Sequence, residues 1–262
     1  MTTTAPPAVT VRLDARSEGT IAFVTVETPK LNIVGSAAIG AFIAATKEFH
    51  TRDDLRVVVL SGGGDKAFIG GADINEMAAL TPESARAFIT QLHRMCASLR
   101  DLPVPVIARI NGYALGAGLE VAAACDLRIA ASTAVFGMPE VRVGIPSVIE
   151  AALLPALIGW GRTRELLLTG ETIDAEEALR WGLVEKVVPP DELDAGVERW
   201  IAALLKGGPR AIRLQKALIR RWEDLPLSEA VEAGIGCFAD AYTTDEPARL
   251  MRGFIARPRT RS

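Results

Sequence analysis

The chain has 262 residues, a net charge of −3, and 49% hydrophobic residues even before its 23 glycines are counted. That length allows one large domain or one domain with a short appendage. The apolar share, which with glycine exceeds the roughly 45–50% of a soluble domain, predicts a large core supplemented by apolar surface buried between subunits.

The acidic balance and the lack of a long basic run argue against nucleic-acid binding. No apolar run reaches the eighteen or so residues of a membrane span. The start, "MTTTAPPAVT", has neither a signal peptide's apolar stretch nor a transit peptide's arginines. Cys96, Cys125 and Cys237 lack metal-ligand spacing and fit small buried thiols. A soluble, cytoplasmic protein without a metal is predicted. Arg252, Arg257, Arg259 and Arg261 read as a solvated tail.

In chain order, "VTVRLDARSEGTIAFVTVET" reads as a hairpin turning at Ser17, Glu18 and Gly19. Ile39, Phe42, Ile43, Thr46 and Phe49 then recur at helical spacing. "RVVVLSG" is a continuous apolar strand of the kind buried on both faces. "TPESARAFITQLHRMCASLRDLP" opens a helix with Thr81 as N-cap and Pro82 at its first position. Its apolar stripe is Phe88, Leu92, Met95 and Leu99, and Pro103 closes it. Two more strands, "VIARI" and "LRIAAS", follow. "TIDAEEALRWGLVEKVVP" combines an Asp174–Glu177 capping box, a helix to about Trp181, Gly182 as C-cap, and a strand. From Asp191 the pattern is helical, broken at "KGGPR", "EDLP" and "TTDEP". The order predicts a β/α core over 1–190 and a helical region over 191–262 that packs on the core or on a neighbouring subunit.

Two stretches echo each other. "VVVLSGGGDKAFIGGADI" and "VIARINGYALGAGLEV" both run from a buried strand through a glycine-rich loop to a helix start. The first brings Ala72 and Asp73 to a helix N-terminus, the second Ala117 and Gly118. Helix starts carry unpaired N–H donors, and glycine lets backbone approach a ligand closely. If the strands are neighbours, one N–H from each loop converges on a single oxygen, which is an oxyanion hole. Neither loop matches a dinucleotide fingerprint or a P-loop.

Glu120 is the only acidic or basic residue between Asn111 and Cys125, and the small apolar residues around it predict burial. An unpaired buried carboxylate is costly. Glu120 is therefore an acid with a raised pKa, suited to proton transfer, or a first-turn helix acid, or a partner for Arg128. Glu140 follows Met138–Pro139, where proline opposes regular helix and sets up an extended or turning chain. Taken alone it reads as a surface loop acid.

"FIGGADI", "NGYALGAGLEVAAACDLRIA", "FGMPEVRVGIP" and "LLLTGETIDAEEALRWGLVEKVVP" together resemble the crotonase superfamily, most closely its enoyl-CoA hydratase branch, from about Val9 to about Phe254. The resemblance implies an α/β fold, a crotonase-like spiral of ββα repeats with a helical C-terminal trimerisation region, as a homotrimer or hexamer. It implies an acyl-CoA thioester substrate whose carbonyl oxygen is held by the N–H groups of Ala72 and Ala117, flanked by the substrate contacts Gly71, Asp73, Ile74 and Gly116. Glu120 and Glu140 match the two glutamates that handle water in hydratases of the family. No cofactor is implied, since coenzyme A is part of the substrate. Double-bond isomerisation and a catalytically weak CoA-binding scaffold are the alternatives.

The family continues after its second glutamate with a glycine-rich run. Here Ser147, Val148, Ile149 and Glu150 stand in its place, which predicts a reshaped acyl pocket. Glu150 reads as a solvated helix acid or as an additional pocket carboxyl. Lys216 reads as a contact for a CoA phosphate or as part of a solvated face. His50 and His93 read as surface or satisfied residues. Trp160, Trp181, Trp200 and Trp222 read as core or subunit-contact residues.

Overall fold

The hairpin forms as its pattern requires. In the computed structural model, which describes residues 8–256, β1 (Val9–Arg16) pairs antiparallel with β2 (Gly19–Val26). A four-residue turn, α1 (Pro29–Asn32), and the helix α2 (Ser36–Thr46) lead to β3 (Leu55–Gly62). Then come β4 (Ala67–Ile69), α3 (Ile74–Met77), α4 (Pro82–Arg100), β5 (Val106–Ile110), β6 (Tyr113–Leu115) and α5 (Ala117–Ala123). The next part holds β7 (Leu127–Ala131), β8 (Val135–Gly137), α6 (Leu154–Thr169), β9 (Thr172–Asp174), α7 (Ala175–Trp181) and β10 (Lys186–Val188). The helices α8 (Leu193–Leu205), α9 (Pro209–Trp222), α10 (Leu227–Ala241) and α11 (Glu246–Ile255) complete it.

Two sheets organise these elements. One has six strands in the order β1-β2-β3-β5-β7-β10, the other four in the order β4-β6-β8-β9. β3, β5 and β7 each feed a short strand of the second sheet, β4, β6 and β8, before the chain turns into helix or 3₁₀ turn. Each pass therefore advances one strand in both sheets, and the repeat winds into a spiral of ββα units. The members of the echoed pair, read as loop followed by helix, each contain one of these three-residue strands.

The long apolar strands are buried on both faces, as a continuous apolar run demands. In β3, Val58 and Leu60 join the larger core with Phe42, Phe68, Met95 and Phe136. Val57 and Val59 face the other way, onto Leu193, Val197 and Ile201 of α8. Thr81 and Ser84 form a reciprocal capping box at the start of α4. At α7 only half of the expected box is made. Asp174 accepts the Glu177 N–H at 2.8 Å, while the Glu177 carboxylate pairs with Arg180.

The last helices differ from the rest. α10 packs on α9 but leaves Leu227, Ile235 and Phe238 exposed, and Phe254 and Ile255 of α11 are also exposed. Trp160 and Trp222 are exposed rather than core, and Trp181 and Trp200 are half-buried. Among the described residues no helix is long and apolar enough to cross a membrane. Arg252 is exposed in α11, and Arg257, Arg259 and Arg261 lie outside the described residues.

Candidate active site

β4, β6 and β8 run parallel, with Ala67 beside Tyr113, and Ala114 beside Phe136. Their C-terminal ends therefore lie side by side, where parallel sheets place ligand sites. β4 ends in Gly70–Gly71–Ala72, β6 in Gly116–Ala117, and β8 in Met138–Pro139–Glu140. All three exits line one pocket of about 290 Å³. The condition on which an oxyanion hole depended, that the two glycine loops be neighbours, is met.

The backbone at each loop is turned to leave an N–H free. Val34 donates to the Gly71 carbonyl at 3.0 Å and accepts from the Asp73 N–H at 3.0 Å. In such a parallel bridge the residue between, Ala72, points its own N–H the other way. Ala117 is the first residue of α5, so its N–H has no acceptor within the helix. Glycine is required on both approaches. Gly71 has φ 127° and Gly116 φ 51°, values side chains rarely adopt. A Cβ on Gly116 would also collide with Glu140 Oε1, so the Glu140 carboxylate lies directly against this turn.

Glu120 sits in the first turn of α5, whose seven residues are all buried, and is itself only 4% exposed. Its Oε1 accepts one bond, from the Ala151 N–H at 3.2 Å. Burial pushes the carboxyl up to about 9; the Ala151 bond pulls the other way, and Glu140 and Glu150 add like charge. At neutral pH it is therefore a neutral acid facing the pocket. Arg128 is not its partner, because Arg128 bonds Glu185 and the carbonyls of Leu183 and Cys125. Glu140 lies at the start of a 3₁₀ turn, Pro139–Val143, with Pro139 at its first position. Its Oε2 accepts from Ser147 Oγ at 2.8 Å.

Gly71, Ala72, Ile74, Gly116, Ala117, Glu120 and Glu140 all line this pocket. Asp73 does not: it is the N-cap of α3, its side chain accepting from the Asn75 and Glu76 N–H groups. Met77, Phe88, Ile89 and Leu92 from α3 and α4 form one apolar wall, and Val143, Ile145 and Val148 another. Sequence reasoning missed Ser147 as a partner of Glu140, although a hydroxyl seven residues after an acid across a proline turn was a usable signal.

Both readings of Glu150 need correction. It is buried rather than solvated, and it does not line the pocket. Its Oε1 lies 2.8 Å from His93 Nδ1. Lys216 is neither a phosphate contact nor solvated. It is buried and donates to Asp126 Oδ2 at 2.7 Å and to the carbonyls of Val104 and Leu99. Among the described residues no group of three or more His, Cys, Asp or Glu is placed to hold a metal ion.

Two loop-borne N–H groups and two carboxyls at one pocket are the arrangement that the crotonase resemblance implies. A family model described as enoyl-CoA hydratase/isomerase matches residues 16–259, and the chain belongs to that family. A short-chain-enoyl-CoA hydratase of Clostridium acetobutylicum is 36% identical over 92% of this chain and 93% of its own. A crotonyl-CoA hydratase of Syntrophomonas wolfei is 38% identical over 78% of each chain. The crystal structure of an enoyl-CoA hydratase from Bacillus anthracis superposes with a TM-score of 0.87 at 31% identity, covering 93% of this chain and 95% of that one.

Proposed function

We propose that the chain is an enoyl-CoA hydratase, a hydro-lyase that adds water across the 2,3 double bond of a 2-enoyl-CoA thioester. The observation that carries this reading is the placement of Glu120 and Glu140 in one pocket with the free N–H groups of Ala72 and Ala117. The thioester carbonyl oxygen accepts both N–H bonds. As water adds at the β-carbon, negative charge develops on that oxygen, and preorganised donors stabilise it. Removing one such donor in other enzymes costs roughly 3–4 kcal/mol of barrier. The two carboxyls carry the proton traffic: one takes a proton from the attacking water, and one delivers a proton to the α-carbon. No cofactor takes part, because coenzyme A enters as part of the substrate.

The apolar walls receive the acyl chain, and relatives named for short-chain and crotonyl substrates support a short one. An isomerase needs only one acid, so the presence of both carboxyls in the pocket favours hydration. The exposed apolar residues of α10 and α11 support assembly into a trimer or hexamer. A soluble cytoplasmic enzyme fits these features.

A set of short, branched and aromatic 2-enoyl-CoA thioesters, followed at the enoyl-thioester ultraviolet band, tests the activity. Loss of the band with at least one short chain is expected. Retained CoA binding with no hydration across the set would replace the enzyme reading with that of a scaffold.

A further inference from the structure

Near Glu120, but not among the residues that line the pocket, lies a third carboxyl. Glu150 belongs to the 3₁₀ turn Ile149–Leu153, which packs against both α5 and α4. It is 6% exposed, its Oε1 is paired with His93 of α4, and its Oε2 is buried without a hydrogen-bond partner. The next residue, Ala151, supplies the one N–H that bonds Glu120, at 3.2 Å, and shares it with the Val148 carbonyl at 2.9 Å. The residue before it, Ile149, is held at φ 42°, a region that β-branched side chains avoid. Such a conformation persists only where its surroundings over-determine it. The His93–Glu150 contact is a cross-link able to do so.

We propose that His93 and Glu150 form a positioning pair for Glu120. The pair fixes the turn whose Ala151 N–H bonds the Glu120 carboxyl, and it sets a second carboxyl beside the first. His93 is half-exposed at the outer end, so the pair runs from solvent to the back of the site. The titratable groups around it are His93 and Cys96 from α4 and Glu120 from α5, with Glu140 facing Glu120 from the turn after β8. Burial, with the charges of Glu150 and Glu120 adding to it, drives the Cys96 thiol well up, so Cys96 stays neutral.

This inference rests on Glu120 being the acid–base group, and its test needs no turnover. The ionisation of Glu120 is followed in the full-length protein by infrared difference spectra of its protonated carboxyl band, with Glu120→Gln as blank. Glu150→Gln and Glu150→Gly should move the midpoint to lower pH by about half a unit or more. Glu150→Asp, which keeps the carboxyl, should hold it near the parent value, and His93→Gln should not lower it. The limb of the kcat profile that titrates with Glu120 should follow the same order, while the ranking of acyl chains stays unchanged. An unmoved midpoint in both Glu150→Gln and Glu150→Gly overturns the proposal. So does an equal shift in Glu150→Asp, which would make the effect one of shape. A changed acyl ranking with an unmoved midpoint would overturn it in favour of an acyl-pocket role. Because the spectra are read without substrate, a failed hydration screen and a failed positioning pair are told apart.

Discussion

The two ends of α5 treat buried charge in opposite ways. Just beyond its C-terminal end, Asp126 meets Lys216, whose ammonium also bonds the carbonyls of Val104 and Leu99, and Arg128 meets Glu185 and two carbonyls. The buried cations there are well satisfied. At the N-terminal end Glu120 has one N–H, at 3.2 Å. A buried ion with its partners holds a fold in one arrangement, whereas a buried acid short of partners is left ready to exchange a proton. The same helix serves stability at one end and chemistry at the other.

The largest expected effect lies at the chemical end. Glu120→Gln and Glu140→Gln each keep shape but cannot carry a proton, so each should lower kcat by about 10²- to 10⁴-fold with little change in KM. The double variant should lose less than the product, because the carboxyls act as a unit. Steady-state kinetics with the best substrate of the screen decide this, and a Glu140→Gln variant at parent rate would leave the two-carboxyl mechanism without support.

At the structural end the effect falls on folding instead. Lys216→Met takes the ammonium from the Leu99 and Val104 carbonyls, while the exposed Asp126 keeps its bond from the Val106 N–H, and should destabilise by about 2–4 kcal/mol in urea unfolding, with the folded fraction keeping its kcat. A variant that folds as firmly as the parent would mean that the two ends are not so different.

The third prediction joins the two. Folding raises the Glu120 pKa from 4.5 to about 9, so the folded chain keeps a proton that the unfolded chain releases. This group's contribution to stability is therefore full below about pH 4.5 and declines until about pH 9. Glu120→Gln removes the decline. Its unfolding free energy should exceed the parent's by a margin that widens as pH rises towards 9, on the order of 2–4 kcal/mol at pH 8. A margin independent of pH would show that Glu120 is already ionised in the folded chain.

The smallest effect concerns Asp73. As an N-cap, its replacement by alanine should cost about 1 kcal/mol in the same urea assay. A change confined to KM, with stability untouched, would return Asp73 to the role of substrate contact.

What the sequence made legible follows the reach of its signals. Thr81 and Pro82, Gly182 and the buried strands are written in contiguous residues, and all stand where their chemistry requires. The burial of Glu120 is readable because its apolar neighbours adjoin it in the chain, and the convergence of the two glycine loops because they carry the same pattern. β4 and β6 were not, since three residues are too few to show a period. Nor were the partners of Glu150 and Lys216. His93 lies 57 positions from Glu150, and Asp126 lies 90 from Lys216. A residue read alone gives its cost of burial, but not the distant group that offsets it.

The division of labour among the three short strands has a consequence for descent. β4 and β6 lead into the loops whose backbone N–H groups are proposed to hold the carbonyl, while β8 leads to Glu140, a side chain. Backbone donors survive most substitutions, and side chains do not. A lineage that replaces the residue leaving β8 changes what is done to the enolate without loosening the hold on it. New reactions can therefore arise here one residue at a time, each from an ancestor that already binds the thioester.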